Sequence, residues 1–122
     1  KTGRWLGFYK NDLEAVIDLK EATEVSSFTM RSLVEKGDWI FGTRGITVSV
    51  SDDNKTFKEV ASESYPAMKE TDPNKVYVHN LKFSPVKTRY VKVKALTEHS
   101  IPSWHGGKGN PAFLFVDELT IE

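Results

Sequence analysis

The chain is patterned in twos. Ala15, Ile17 and Leu19 alternate with Glu14, Val16 and Asp18, and Phe28 and Met30 with Ser27, Thr29 and Arg31. Ile46, Val48 and Val50 alternate with Thr47, Ser49 and Ser51, and Val91, Val93 and Ala95 with Lys92 and Lys94. Alternation over about four to eight residues predicts a β-strand with one face buried. The run at residues 76–83 changes phase near His79-Asn80. The last run, residues 112–121, is apolar on both parities until Asp117, as a strand covered on both faces or carrying a bulge would be. Residues 14–24 hold helix formers, but their β-branched residues and alternation favour a strand and a turn.

Turn chemistry separates these runs. Ser51-Asp52-Asp53-Asn54-Lys55 reads as a hairpin connection into Phe57-Lys58-Glu59-Val60. Ser84-Pro85 is expected to separate a pair of β runs, and residues 62–75, with Pro66, Pro73 and several acids, to form a long loop. About seven short strands and no amphipathic helix predict an all-β fold, an antiparallel β-sandwich or a barrel.

At 122 residues the chain suits a single domain, residues 1–122, with one core. With 39% hydrophobic residues it is a folding sequence rather than a disordered one. Seventeen Lys and Arg balance seventeen Asp and Glu, which argues against a nucleic-acid partner and against docking on anionic membranes. There is no cysteine, so disulfides and thiolate metal sites are excluded. The sequence begins at Lys1 rather than Met, and we expect it to be a piece of a longer multidomain protein.

All three tryptophans fall in segments where turn chemistry alone would not put aromatics: Trp5-Leu6-Gly7-Phe8-Tyr9, residues 37–44 around Trp39-Ile40-Phe41, and residues 101–109 around Trp104-His105. These segments are expected to be loops. Aromatic faces attract the C–H faces of sugar rings, and Arg and His can bond the hydroxyls. Trp39, Arg44, Trp104 and His105 are therefore candidate sugar-binding residues; the bland alternative is that the tryptophans plug the ends of the sandwich and His105 braces its loop. His79 reads as structural and His99 as a solvated loop residue. Gly106-Gly107-Lys108-Gly109 is not a phosphate cradle, because Asn110-Pro111 and a strand follow where a helix would be needed. Asp52, Asn54, Thr56 and Glu63 echo a calcium loop, but Phe57 stands where such a loop needs glycine. No pair of carboxylates is set apart for glycoside hydrolysis, so this stretch is read as non-catalytic.

The order of these segments resembles the coagulation factor V/VIII C-type, or discoidin-like, family, which includes carbohydrate-binding modules of family 32. The matching residues are Trp5-Leu6-Gly7-Phe8, Leu13-Glu14-Ala15-Val16-Ile17-Asp18-Leu19, Val48-Ser49-Val50-Ser51-Asp52 with Phe57, Thr88-Arg89-Tyr90-Val91-Lys92-Val93 and Phe115-Val116-Asp117-Glu118-Leu119. Trp39-Ile40-Phe41, residues 102–109 and Phe113-Leu114-Phe115-Val116-Asp117-Glu118 further resemble the C-terminal accessory domain of bacterial β-N-acetylhexosaminidases of glycoside hydrolase family 20.

The resemblance implies a jelly-roll β-sandwich of the galactose-binding type, outside the cell or in the periplasm. It would hold an enzyme on N-acetylhexosamine-containing glycans, or pack on the parent's catalytic domain through Trp39, Ile40 and Phe41. It implies a structural calcium, with Glu118 as the side-chain ligand. The family's other calcium ligands precede the opening tryptophan, so we expect the first strand or loop to be missing and the site to be weak or empty. Membrane docking through Trp39-Ile40-Phe41, as in the coagulation-factor relatives, is disfavoured by the neutral charge and by Asp38.

Overall fold

The structure is a computed structural model and describes residues 5–122. Among them are six strands and a single 3-10 turn: β1 (Leu6–Tyr9), β2 (Leu13–Leu33), the turn Lys36–Asp38, β3 (Gly45–Ser51), β4 (Lys58–Ser64), β5 (Val76–Leu96) and β6 (Phe113–Ile121). Each strand runs antiparallel to its neighbours in the order β1-β6-β2-β5-β3-β4.

This sheet makes a sandwich because β2 and β5, each 21 residues long, serve both layers. Residues 13–18 of β2 pair with residues 90–95 of β5, beside β3 and β4. Residues 27–33 pair with residues 76–82, beside β6 and β1. Two register breaks lie between. At the first, residues 19–22 of β2 face Arg89 alone, and Lys20 takes a left-handed φ of 77° while its N–H donates to Asp18 Oδ1 at 2.8 Å. Arg89 closes the corner by bonding Asp18 at 3.0 and 3.2 Å. At the second break, Phe83, Ser84 and Pro85 face Ser26 alone. Ser84-Pro85 therefore bends one strand instead of separating a pair, since proline has no N–H to give and a bulge asks for none. Merging of expected strands leaves six, not seven.

The core joins the two layers. Leu13, Ile46, Val48, Val91 and Val93 from one meet Phe28, Met30, Leu81, Leu114 and Val116 from the other. The expected phase change at His79 does not occur. Tyr77, His79, Leu81 and Phe83 point inward throughout, while Val76 and Val78 are exposed at 38% and 64%. In β6 a real bulge appears: Asp117 and Glu118 face Arg31 alone, so Leu119 and Ile121 return to the core side after Leu114 and Val116. Phe113 and Phe115 take the outer face, where Tyr9 stacks on Phe113 with centroids 4.5 Å apart. The first aromatic segment is thus a strand from Leu6, not a loop.

The β3–β4 hairpin forms as its polar residues dictate. Asp53 Oδ1 accepts the N–H groups of Lys55 and Thr56, both at 2.9 Å, and Asn54 adopts φ 60°. These amides hold the Asp53 carboxyl below the usual carboxylate range.

Candidate functional aromatic rim

Three loops meet at one rim: residues 34–44, 65–75 and 97–112. Beneath them lies a second, small core of Phe41, Ile101 and Ala112, against which Trp39, Met68 and Trp104 pack. Burial of these apolar side chains is what holds long polar loops in place. The first loop is pinned by Glu35 and Ile40, which exchange backbone hydrogen bonds of 3.0 and 3.1 Å.

Trp39 ends the 3-10 turn at a left-handed φ of 63°. Non-glycine residues seldom adopt that conformation, and a bulky one needs support. Its N–H donates to Lys36 O at 3.1 Å, and its carbonyl accepts the Phe113 N–H at 2.8 Å. The indole lies so close to Gly107 that a Cβ there would come within 2.7 Å of it. Trp104 stacks on Phe41 with centroids 6.0 Å apart, and its Nε1–H donates to Met68 O at 3.1 Å. His105 stands edge-on to Trp39, Phe41 and Trp104, at 6.2, 5.6 and 5.7 Å. Both tryptophans and the histidine are half-buried, so each has an anchored side and an accessible one.

The histidine's hydrogen bonds fix its chemistry. Nδ1 accepts the Gly107 N–H at 2.8 Å, so the proton sits on Nε2, which donates to Lys36 O at 2.7 Å. Both ring nitrogens are committed to backbone, and only the ring's carbon edge is left to meet a ligand. Arg44, grouped with these residues in the sequence, goes elsewhere. Its Nε donates to Tyr65 O at 2.9 Å and its Nη1 to Glu98 Oε2 at 3.0 Å, and Glu98 is 5% exposed. Burying that carboxylate demands a cation, which explains the arginine. Ile40 and Phe41 are buried at 8% and 1%, so the expected Trp39-Ile40-Phe41 docking patch is not exposed.

Two contributors carry no signal in the sequence. Met68 props Trp104 through its carbonyl and accepts the Gly42 N–H on Sδ at 3.4 Å. Lys36 runs beneath the indole, its Nζ 5.6 Å from the ring centroid. Neither sits in any recognisable motif. Behind Met68 opens an apolar cleft of about 220 Å³ walled by Val34, Tyr65, Tyr77 and His79.

Glu118 stands exposed at the β6 bulge. Among the described residues no three His, Cys, Asp or Glu side chains gather as a metal site. Ser103 and His105 do not pair as nucleophile and base, since both ring nitrogens are bonded to backbone groups. No helix among the described residues is long and apolar enough to cross a membrane.

The profile of the F5/8 type C domain matches residues 1–112. The chain belongs to the F5/8 type C family. No curated protein matches it significantly. Its fold is similar to CpGH89CBM32-5 from Clostridium perfringens, solved in complex with GalNAc-β-1,3-galactose: TM-score 0.64, 19% identity, over 99% of this chain and 76% of that one. It is also similar to CBM32-3 from a family 31 glycoside hydrolase of Clostridium perfringens, with TM-score 0.57 and 14% identity over 95% and 76% of the two chains. A pectin binding carbohydrate binding module gives 0.54 and 16%, over 97% and 70%. These likenesses place the F5/8 type C chain in the discoidin β-sandwich fold.

Proposed function

We propose that this domain is a non-catalytic carbohydrate-binding module that meets glycan with Trp39 and Trp104. One observation carries the reading: both indoles are half-buried at one rim, held by a small buried core and by His105. The left-handed backbone at Trp39 supports it, because strain of about 1–3 kcal/mol is retained where an exposed side chain must be aimed. His105 and Arg44 serve as braces for the loops. The complex of the similar Clostridium perfringens module with GalNAc-β-1,3-galactose suggests the first sugars to try. We place the module outside the cell, on a glycoside hydrolase of the β-N-acetylhexosaminidase kind, as the residue pattern around Trp104 and β6 implies; the coding sequence upstream of Lys1 tests that placement.

The module's own test is calorimetric titration of residues 1–122 with GalNAc, galactose and GalNAc-β-1,3-galactose. Saturable heat is expected, reduced at least tenfold in affinity by Trp39→Ala and by Trp104→Ala with circular dichroism unchanged. A folded sample giving no heat with any of them defeats the proposal. A second reading, packing on the parent's catalytic domain, is favoured by the outer aromatic ridge of Tyr9, Phe113 and Phe115, with Tyr9 38% exposed.

A further inference from the structure

Lys36 ties the three loops of the rim together. Its Nζ donates to the carbonyls of Glu70 at 2.8 Å, Lys69 at 3.4 Å and Asp72. Its own carbonyl accepts the Trp39 N–H and the His105 Nε2–H, and its N–H donates to Asn74 Oδ1 at 3.0 Å. The same ammonium lies against the Trp104 indole, and Trp104 in turn bonds Met68, one residue before the caged segment. One residue thus touches the backbone beneath Trp39, the ring beside both indoles and the loop that props Trp104.

We infer that Lys36 is the positioning residue of the rim. The inference rests on the sugar-binding reading above. An ammonium has three donors and no acceptor, and here three carbonyls take them. It has no donor left for a ligand carboxylate or sulfate without abandoning one of those carbonyls. His105 is in the same position, and Arg44 is held by Tyr65 and Glu98. Lys36, His105 and Arg44 therefore face the protein, and the surface that they position is that of the indoles, which suits the C–H face of a pyranose. Without the ammonium the three carbonyls lose their shared donor, residues 69–72 loosen, and Met68 no longer fixes the indole of Trp104.

The chain has no cysteine, so Lys36→Cys is a unique alkylation site, and aminoethylation of it rebuilds a lysine-like ammonium with one sulfur in the stem. Lys36→Cys is expected to shift tryptophan emission to the red, increase acrylamide quenching, and weaken GalNAc affinity at least tenfold. Aminoethylation is expected to restore all three to within about twofold of the parent chain. Unchanged emission and quenching in Lys36→Cys, or no recovery on aminoethylation, overturns the positioning role. If the parent chain binds no sugar, the functional reading fails by itself, and emission and quenching still decide Lys36. Should Lys36→Cys not fold, Lys36→Arg keeps the charge but spreads its donors in a planar fork that cannot fill the cage; wild-type emission there counts against the role.

Discussion

At the scale of single residues, the rim depends on close approach as much as on ring chemistry. Gly106 and Gly107 are neighbours in sequence, yet only one is required sterically. A Cβ on Gly107 would meet the Trp39 ring at 2.7 and 2.8 Å, whereas one on Gly106 would meet nothing within 4 Å. Trp39 cannot yield easily, since its backbone is held in the left-handed region by bonds to Lys36 and Phe113. Gly107→Ala is therefore expected to cost about 1–3 kcal/mol by overpacking and to displace Trp39, weakening sugar binding, while Gly106→Ala leaves stability and affinity as they were. Denaturant unfolding and calorimetry on the two variants check this; equal effects would show that Trp39 does not rest on Gly107. In the sequence the two glycines are indistinguishable, because nothing local records which of them an indole from another loop will cover.

At the scale of strands, alternation revealed the inward faces of β2, β3 and the second half of β5, where Phe28, Met30, Ile46, Val48, Val91 and Val93 are all buried. It misled where the rule "apolar means inward" fails. Val76 and Val78 point out and His79 points in, which gives the pattern a false phase change. The length of β2 and β5 was also illegible, because bulges at Lys20 and Pro85 look like strand ends when no partner strand is in view. His79 has a consequence for pH. Its Nε2 bonds Ser32 Oγ of β2 at 3.1 Å and its ring leans on Tyr65 at 4.9 Å. Burial lowers its pKa below the ordinary histidine value, against a weaker opposing pull from Glu63. The unfolded chain then takes up the proton first, so the stability tied to neutral His79 is complete above about pH 7 and falls as the pH drops through the unfolded value of about 6.5. Thermal melts at about pH 7.5 and 5.5 should show a lower midpoint at the acid end, and His79→Phe should narrow that gap. A gap of the same width in the variant would place the titration elsewhere.

At the scale of the whole molecule, the sandwich and the rim are two bodies of unequal strength. The main core draws on every strand layer, while the rim sits on three fully buried side chains, Phe41, Ile101 and Ala112. Loops over so small a core open locally at less cost than the sheet unfolds. Ile101 also receives the Gly109 N–H on its carbonyl at 2.9 Å and donates its own N–H to Asn110 at 2.8 Å, so it closes the loop that carries Trp104 and His105. Its side chain is 2% exposed, and Ile101→Ala removes it from beneath the rim at a cost of about 2–5 kcal/mol if the cavity persists. That loss should fall on the loops: amide exchange at Gly109 and Asn110 quickens and sugar affinity drops, while amides of Val48 and Val93 keep their protection. Val93→Ala, in the main core, should do the reverse, lowering the global melting midpoint while a folded sample keeps its affinity. Hydrogen exchange read by mass spectrometry on both variants separates the two bodies. If Ile101→Ala instead speeds exchange evenly through the β3–β5 ladder, the rim and the sandwich are one cooperative unit, and a ligand at the tryptophans would stabilise the entire fold rather than its loops alone.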